Sequence, residues 1–250
     1  VTPADALLIG GAGLLGGAVN AVAGGGTLLT FPALLAVGAA PITANITSSV
    51  GLLSGYAGGS VAYRRELAGQ GGRARSLVVV SVIGGVAGAL LLLVTPAATF
   101  RTVVPYLVLL SCALLAAQPR LAKALGGRTH GSPDLHWGVR LGVGVSAAYG
   151  SYFGAGLGVL LLAVLGVLVA DELQRLNALK GVLSLVINVV GVVVFVASGH
   201  VAWRYAAILA VTSYAGATVG VSVARRLSPA VMRASVVALG TVVGVVLLVR

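Results

Sequence analysis

Acidic residues are nearly absent from this chain. Five aspartates and glutamates serve 250 residues, at Asp5, Glu66, Asp134, Asp171 and Glu172, and each lies at the end of an apolar run or between two of them. The histidines, His130, His136 and His200, fall in the same kind of place. This leaves no paired carboxylates, no Ser/His pair within an apolar run and no metal-ligand spacing, so neither an intramembrane enzyme nor a cofactor or metal site is expected. A carboxylate relay for protons is equally missing. Cysteine is limited to Cys112, inside an apolar run, which rules out a disulfide framework and reads as a small packing residue. Charged residues make up 8% of the chain and hydrophobic ones 58%, whereas soluble domains carry about 25% charge. A water-soluble domain is excluded, and the partner implied is a lipid bilayer.

What is present is a series of uncharged runs. Residues 76–94 and 205–224 are each long enough to span, and similar runs recur to the end of the chain with no short alternating strands, so an all-α integral membrane protein is expected rather than a barrel. The 37 glycines suit helices that approach closely in lipid. A net charge of +11 raises the question of nucleic acid, but the basic residues cluster in short connections, which the positive-inside rule explains without a nucleic-acid partner. No cleavable signal pattern is visible, so insertion is expected to rely on the first apolar segment.

The longest uncharged run, 6–63, would measure about 87 Å as one helix at 1.5 Å per residue, against a hydrocarbon core of roughly 30 Å. It must fold back. Gly24, Gly25 and Gly26 are the natural place for a break, because glycine accepts backbone angles closed to other residues. Ten segments follow: 6–23, 27–37, 43–63, 76–94, 102–117, 137–152, 157–169, 181–198, 205–224 and 234–249, with 27–37 and 157–169 too short to cross. Residues 171–180 read as a separator between the seventh and eighth. A second break at Gly154, Ala155 and Gly156 lies about 130 residues after the first. At an offset of 130 to 132, Asn45 meets Asn177, Tyr63 meets Phe195, and Phe100 with Arg101 meets Met232 with Arg233. The chain therefore reads as a first repeat over 1–117, a polar cytoplasmic linker over 118–135 and a second repeat over 136–250. Five segments per half is an odd number, so the second copy is expected to enter the membrane from the opposite side as an inverted repeat. Arg64, Arg65, Arg73 and Arg75, the linker, and Arg225 with Arg226 then share the cytoplasmic side; Arg101, Arg204 and Arg250 are left on the other. Apolar segments broken by glycine at corresponding positions of two halves point to a transporter's substrate site near the midplane.

The glycine-rich stretch 12–32, Thr47-Ser48-Ser49 leading to the 62–67 motif, Asn177-Ala178-Leu179-Lys180 leading to Asn188, and the 224–229 motif occur in order and partly in duplicate. Together they resemble the sulfite exporter TauE/SafE family over nearly the whole chain. The resemblance implies a multi-pass secondary transporter of the bacterial inner membrane that exports sulfite, sulfoacetate or a related organosulfonate. Ala155 in the middle of the second break departs from the triple glycine of the first.

A desolvated sulfur oxyanion needs several neutral donors that still permit release. Backbone amides at the start of a half-helix supply them, so Gly24, Gly25, Gly26 and Thr27 in the first half and Gly154 and Gly156 in the second are candidates. Close helix packing is the other reading of the same glycines. Asn20, Asn45 and Asn177, with Asn188, are the only asparagines and lie in apolar stretches, where an amide either binds substrate or joins helices. Ser48 and Ser49 are further candidates, beside Thr47, Ser151 and Ser184, although hydroxyls often bond back to their own helix. Tyr149 and Tyr152 flank the second break and suit either an oxyanion or an interface anchor. Lys180, three residues after Asn177 on one helix face, either attracts the anion or snorkels to the cytoplasmic surface near Asp171 or Glu172. An anion channel with the same glycine-lined passage and a non-transporting scaffold subunit remain alternatives, and a homo-oligomer is left open.

Overall fold

The computed structural model describes residues 2–62, 69–125, 137–169, 171–224 and 229–249. Among these, the regular structure is ten α-helices: α1 Pro3–Ala23, α2 Thr27–Ala36, α3 Pro41–Ala62, α4 Gly71–Val94, α5 Ala97–Leu125, α6 Trp137–Tyr152, α7 Leu157–Leu168, α8 Leu173–Ser198, α9 Trp203–Ala224 and α10 Pro229–Val249. The expected all-helical class is observed. Within the described residues, stretches of α1, α4, α5 and α8 are long and apolar enough to cross a membrane. Several expected boundaries change: α4 begins at Gly71 and not at 76, so Arg73 and Arg75 lie on its first turns and not in a loop, α5 begins at Ala97 and not at 102, and α10 at Pro229 and not at 234. Residues 173–180 are the first two turns of α8 rather than a separator, because Glu172 caps a helix whose next apolar positions, Leu176, Leu179 and Leu183, are all buried. Residues 118–125 extend α5 rather than opening the linker. The rest of the linker to residue 136, Tyr63 with Arg64, Arg65 and Glu66, and Arg225 with Arg226 lie outside the described residues.

Local chemistry sets the breaks. Helix α1 opens on a capping box, in which Thr2 Oγ1 accepts from the Asp5 amide at 3.2 Å and Asp5 Oδ2 accepts from the Thr2 amide at 2.8 Å. It closes at Gly24, whose φ of 75° is the left-handed conformation that glycine reaches at no steric cost. Gly154 and Gly156 repeat the device between α6 and α7, with φ of 81° and 76°. Each break feeds a short helix, 10 residues in α2 and 12 in α7, or about 15 and 18 Å, half a bilayer each. Both turn back along the helix before them. Gly142 lies beside Val164 and Gly150 beside Leu157, so α7 retraces α6; Gly16 lies beside Thr30 and Gly26 in the same way.

The long helices pack around these hairpins in matched pairs. Helix α1 packs most extensively on α9 and α4 on α6; α3 lies on α9 and α4 on α8; α3 meets α8, and α5 meets α10. Replacing each helix by the one five places along exchanges these pairs or leaves them in place. Small residues make the approach possible, since association in lipid relies on van der Waals contact rather than on expulsion of water. A Cβ at Gly17 would overlap the Ser213 carbonyl, one at Gly216 the Leu14 carbonyl, and one at Gly88 the Ala148 carbonyl. Gly17, Gly88 and Gly216 thus serve packing. Gly88→Ala is expected to destabilise by about 1–3 kcal/mol through overpacking. Gly11→Ala, with nothing within 4 Å of the added methyl, should change stability by less than about 0.5 kcal/mol. Thermal unfolding in detergent checks the pair, and equal effects would contradict the packing assignment.

Candidate functional site

The two breaks meet. Gly24 stands against Gly158, where a Cβ would come within 3.1 Å of the Gly158 Cα, and Gly154 faces Thr27 Oγ1. Phe31 of α2 and Phe153 of the second break seal the junction edge to face, with ring centroids 5.5 Å apart at 80°, and both side chains are fully buried. Gly24, Gly25, Gly26, Thr27, Gly154, Ala155 and Gly156 are all buried.

The electrostatics of the junction come from backbone groups. The first amides of a helix have no partner within it. Those of Gly25, Gly26 and Thr27, and of Ala155, Gly156 and Gly158, find no backbone acceptor among the described residues, whereas the next amides of α2 and α7 bond to Gly25, Gly26, Gly154 and Gly156. Two sets of donors without backbone acceptors, one from each half, therefore lie at the adjoining, buried starts of α2 and α7, the positive ends of two helices. The carbonyl side is treated differently. Ala155 O accepts from Tyr149 Oη at 2.8 Å and lies within reach of Ser111 Oγ at 2.9 Å; those two hydroxyls are 2.7 Å apart, and the single Ser111 proton is shared with Leu107 O at 2.7 Å. Neutralising that carbonyl leaves the donors as the uncompensated groups of the second break.

The other expected site residues divide into three groups. Asn45 belongs to the junction: it is fully buried, its Nδ2 donates to Tyr152 O at 2.8 Å, and its Oδ1 is buried without a partner among the described residues. Asn20 is buried with neither amide atom in hydrogen-bond geometry, and the Tyr56 hydroxyl is its near polar neighbour. Ser48, Ser49 and Tyr152 are committed to structure. Ser48 Oγ pairs with Thr30 Oγ1, Ser49 Oγ donates to Asn45 O at 3.1 Å on its own helix, and the Tyr152 hydroxyl donates to Thr95 Oγ1 at 3.4 Å while its ring tilts against Phe100. Tyr149 is not an interface anchor, since its hydroxyl is turned inward onto Ala155 O. Asn177 and Lys180 form the third group, on α8. Lys180 Nζ donates to Asn177 Oδ1 at 3.1 Å, and Lys180 stands at the repeat position of Ser48. Lys180 makes no ion pair with Asp171 or Glu172 among the described residues, and Asp171 is paired with Arg73 and Arg175.

Asp171 holds a closure between the halves on one side of the molecule. Arg73 Nη1 donates to Asp171 Oδ2 at 2.7 Å, Arg175 Nε lies 3.0 Å from Oδ1 without hydrogen-bond geometry, and Gln70 Nε2 donates to Arg175 O at 3.2 Å. Burial opposes ionisation of this carboxyl, but the bonds from Arg73 and the Glu172 amide, with the charge of Arg175, outweigh it and hold its pKa below the ordinary value. At the related place on the other side, the Ala202 amide donates to Thr47 Oγ1 at 3.0 Å. One closure is ionic and the other neutral. Among the described residues no group of three His, Cys, Asp or Glu side chains converges to hold a metal ion.

Reading the sequence alone passes over Ser111, Thr30, Phe31 and Phe153. Ser111 sits within the α5 apolar run, and the rule that a hydroxyl in lipid must find a partner was the signal that it caps something. No sequence signal pairs Phe31 with Phe153.

The model of the family described as "Sulfite exporter TauE/SafE" matches residues 9–247. The "Probable membrane transporter protein YfcA" of Escherichia coli strain K12 is 26% identical over 208 residues, 83% of this chain and 76% of that protein. A "Probable membrane transporter protein" of Haemophilus influenzae is 24% identical over 83% of this chain and 80% of its own length. The "Probable membrane transporter protein ORF9" of a Sinorhizobium species is 24% identical over 84% of this chain and 79% of its own length. No solved structure matches the chain. With the family model covering all ten helices, this chain belongs to the sulfite exporter TauE/SafE family.

Proposed function

We propose that this protein is a secondary transporter of the bacterial inner membrane that exports a small sulfur-containing anion, sulfite, sulfoacetate or a related organosulfonate. The substrate binds at the midplane junction of the two breaks, and access alternates between the two faces. The carrying observation is that the starts of α2 and α7, one from each half, adjoin in a buried junction with amides that have no backbone acceptor, beside Asn45 and a second-break carbonyl within reach of the Ser111 and Tyr149 hydroxyls. Donors without counter-charge suit an oxyanion that must be stripped of water and then released. The family membership supports the sulfur oxyanion as cargo, and the relatives' printed descriptions support transport.

Alternating access draws support from the pairing of helices five places apart and from hairpins that retrace their own halves, which together fit an inverted repeat. In this reading the Arg73–Asp171 closure is the cytoplasmic gate and the Thr47–Ala202 bond the gate on the other face. Lys180 breaks the symmetry of the site by placing a cation where the first half has Ser48, on the side from which an anion loads for export.

The glycines separate the binding role from packing. A methyl at Gly26 would overlap the Gly16 carbonyl, so that variant damages the fold; one at Gly25 would meet only side-chain ends, of Leu115 at 3.2 Å and Val19 at 3.7 Å. Gly25→Ala is expected to purify normally and to lower sulfite or sulfoacetate affinity at least tenfold, read by binding to purified protein and by counterflow in proteoliposomes. Asn45→Ala should cost about 0.5–1.5 kcal/mol, roughly two- to tenfold. Lys180→Gln should weaken the anion while leaving the fold intact. Unchanged affinity in Gly25→Ala would remove the site from the breaks, and single-channel currents in place of saturable counterflow would replace the carrier by a channel.

Topology has its own test. Position 70 is buried, so exposed Gly72 and His200 are the suitable reporters. In a Cys112→Ala background, cysteine at 72 is expected to label only from the cytoplasm and cysteine at 200 only from the outside. Labelling of both from one side would overturn the assignment.

A further inference from the structure

A feature outside the breaks lies on the outer surface of α4 and α6. A groove of about 490 Å³ runs between α4 and α6, lined by Val80, Gly84 and Ala87 of α4 and by Arg140, Gly144 and Ala148 of α6. The close approach of Gly84 to the Gly144 carbonyl and of Gly88 to the Ala148 carbonyl runs the two helices side by side in the same direction and sinks the floor of the groove to backbone level. Its walls are apolar except at one end.

That end is cationic. Arg140 is exposed, one turn into α6, and makes no hydrogen bond or ion pair among the described residues. Helix register sets it level with Val80 of α4. Arg75, also exposed and without a described partner, lies five residues before Val80 on α4, about 7.5 Å further toward the same end. On α4 it shares the lipid-facing side with the exposed Val79 and Ile83. Trp137, exposed at the start of α6 three residues before Arg140, marks headgroup depth, where tryptophan is enriched. Two unpaired guanidiniums at headgroup level, above an apolar trough, are complementary to a phosphate joined to an acyl chain. A zwitterionic lipid fills the trough equally well but offers no net negative charge to the two cations.

We infer that the α4/α6 groove is a binding site for an anionic phospholipid of the cytoplasmic leaflet, with its phosphate on Arg140 and Arg75 and an acyl chain along Gly84, Ala87 and Gly144. The cytoplasmic leaflet follows from the proposed topology, but the binding itself does not depend on the transport reading. The bound lipid bridges α4 of one half and α6 of the other, a pair that must stay together while the gates alternate.

Native mass spectrometry of the purified protein with phosphatidylglycerol or phosphatidylcholine tests this. Phosphatidylglycerol is expected to be retained at least fivefold more than phosphatidylcholine. Arg140→Gln should remove that preference, Arg75→Gln should reduce it, and Ala87→Trp, which fills the trough from an exposed position, should lower retention of both lipids. Equal retention of the two lipids by the unaltered protein, or an undiminished preference in Arg140→Gln, would overturn the site. So would a dimer that cross-links through cysteine at position 87, since a second copy would then occupy the groove. Substrate counterflow in the same preparations distinguishes this outcome from failure of the transport reading.

Discussion

A backbone amide or carbonyl in the hydrocarbon core has no water to bond to, and every such group must find a partner inside the protein. The two helix breaks violate this locally, since each frees several main-chain groups at mid-depth. The architecture compensates by setting the breaks against each other, sealing them with Phe31 and Phe153, and supplying Ser111 and Tyr149 to the one carbonyl that both hydroxyls reach. The amides of Gly25, Gly26, Thr27, Ala155, Gly156 and Gly158 are left without backbone acceptors among the described residues. The same constraint explains the short helices, which must return along α1 and α6 because they are half a bilayer long.

The glycine content follows from this geometry in two separate ways. At Gly24, Gly154 and Gly156 the left-handed backbone is required by the turn. At Gly17, Gly88 and Gly216 the absence of a side chain lets helices approach to backbone contact. Gly26 belongs to the second class and Gly25 to neither, so adjacent residues of one motif have different roles. Association by packing alone also leaves long helices free to slide or tilt as rigid pairs.

Much of this was legible in the sequence. The ten segments and both breaks could be read from uncharged run length and glycine position, because each reflects a one-dimensional rule. Boundaries near charges were less legible: Asp171, Glu172 and Arg175 look like a connection, yet leucines at 176, 179 and 183 carry the helix through them. The site was legible only as a neighbourhood. Asn45 and the break glycines are at the junction, whereas Ser48, Ser49 and Tyr152 satisfy their own structure. Which hydroxyl meets which carbonyl depends on helix rotation and depth, and a composition of alanine, valine, leucine and glycine encodes neither.

The central claim is that main-chain amides of both breaks bind the anion. Hydrogen–deuterium exchange of the protein in nanodiscs, with and without sulfite, addresses it most directly. The account predicts slowed exchange on sulfite binding in peptides covering Gly25 to Thr27 and Ala155 to Gly158, with little change in the outer turns of α1 and α6. Substrate-dependent protection elsewhere, with both breaks unchanged, would contradict it.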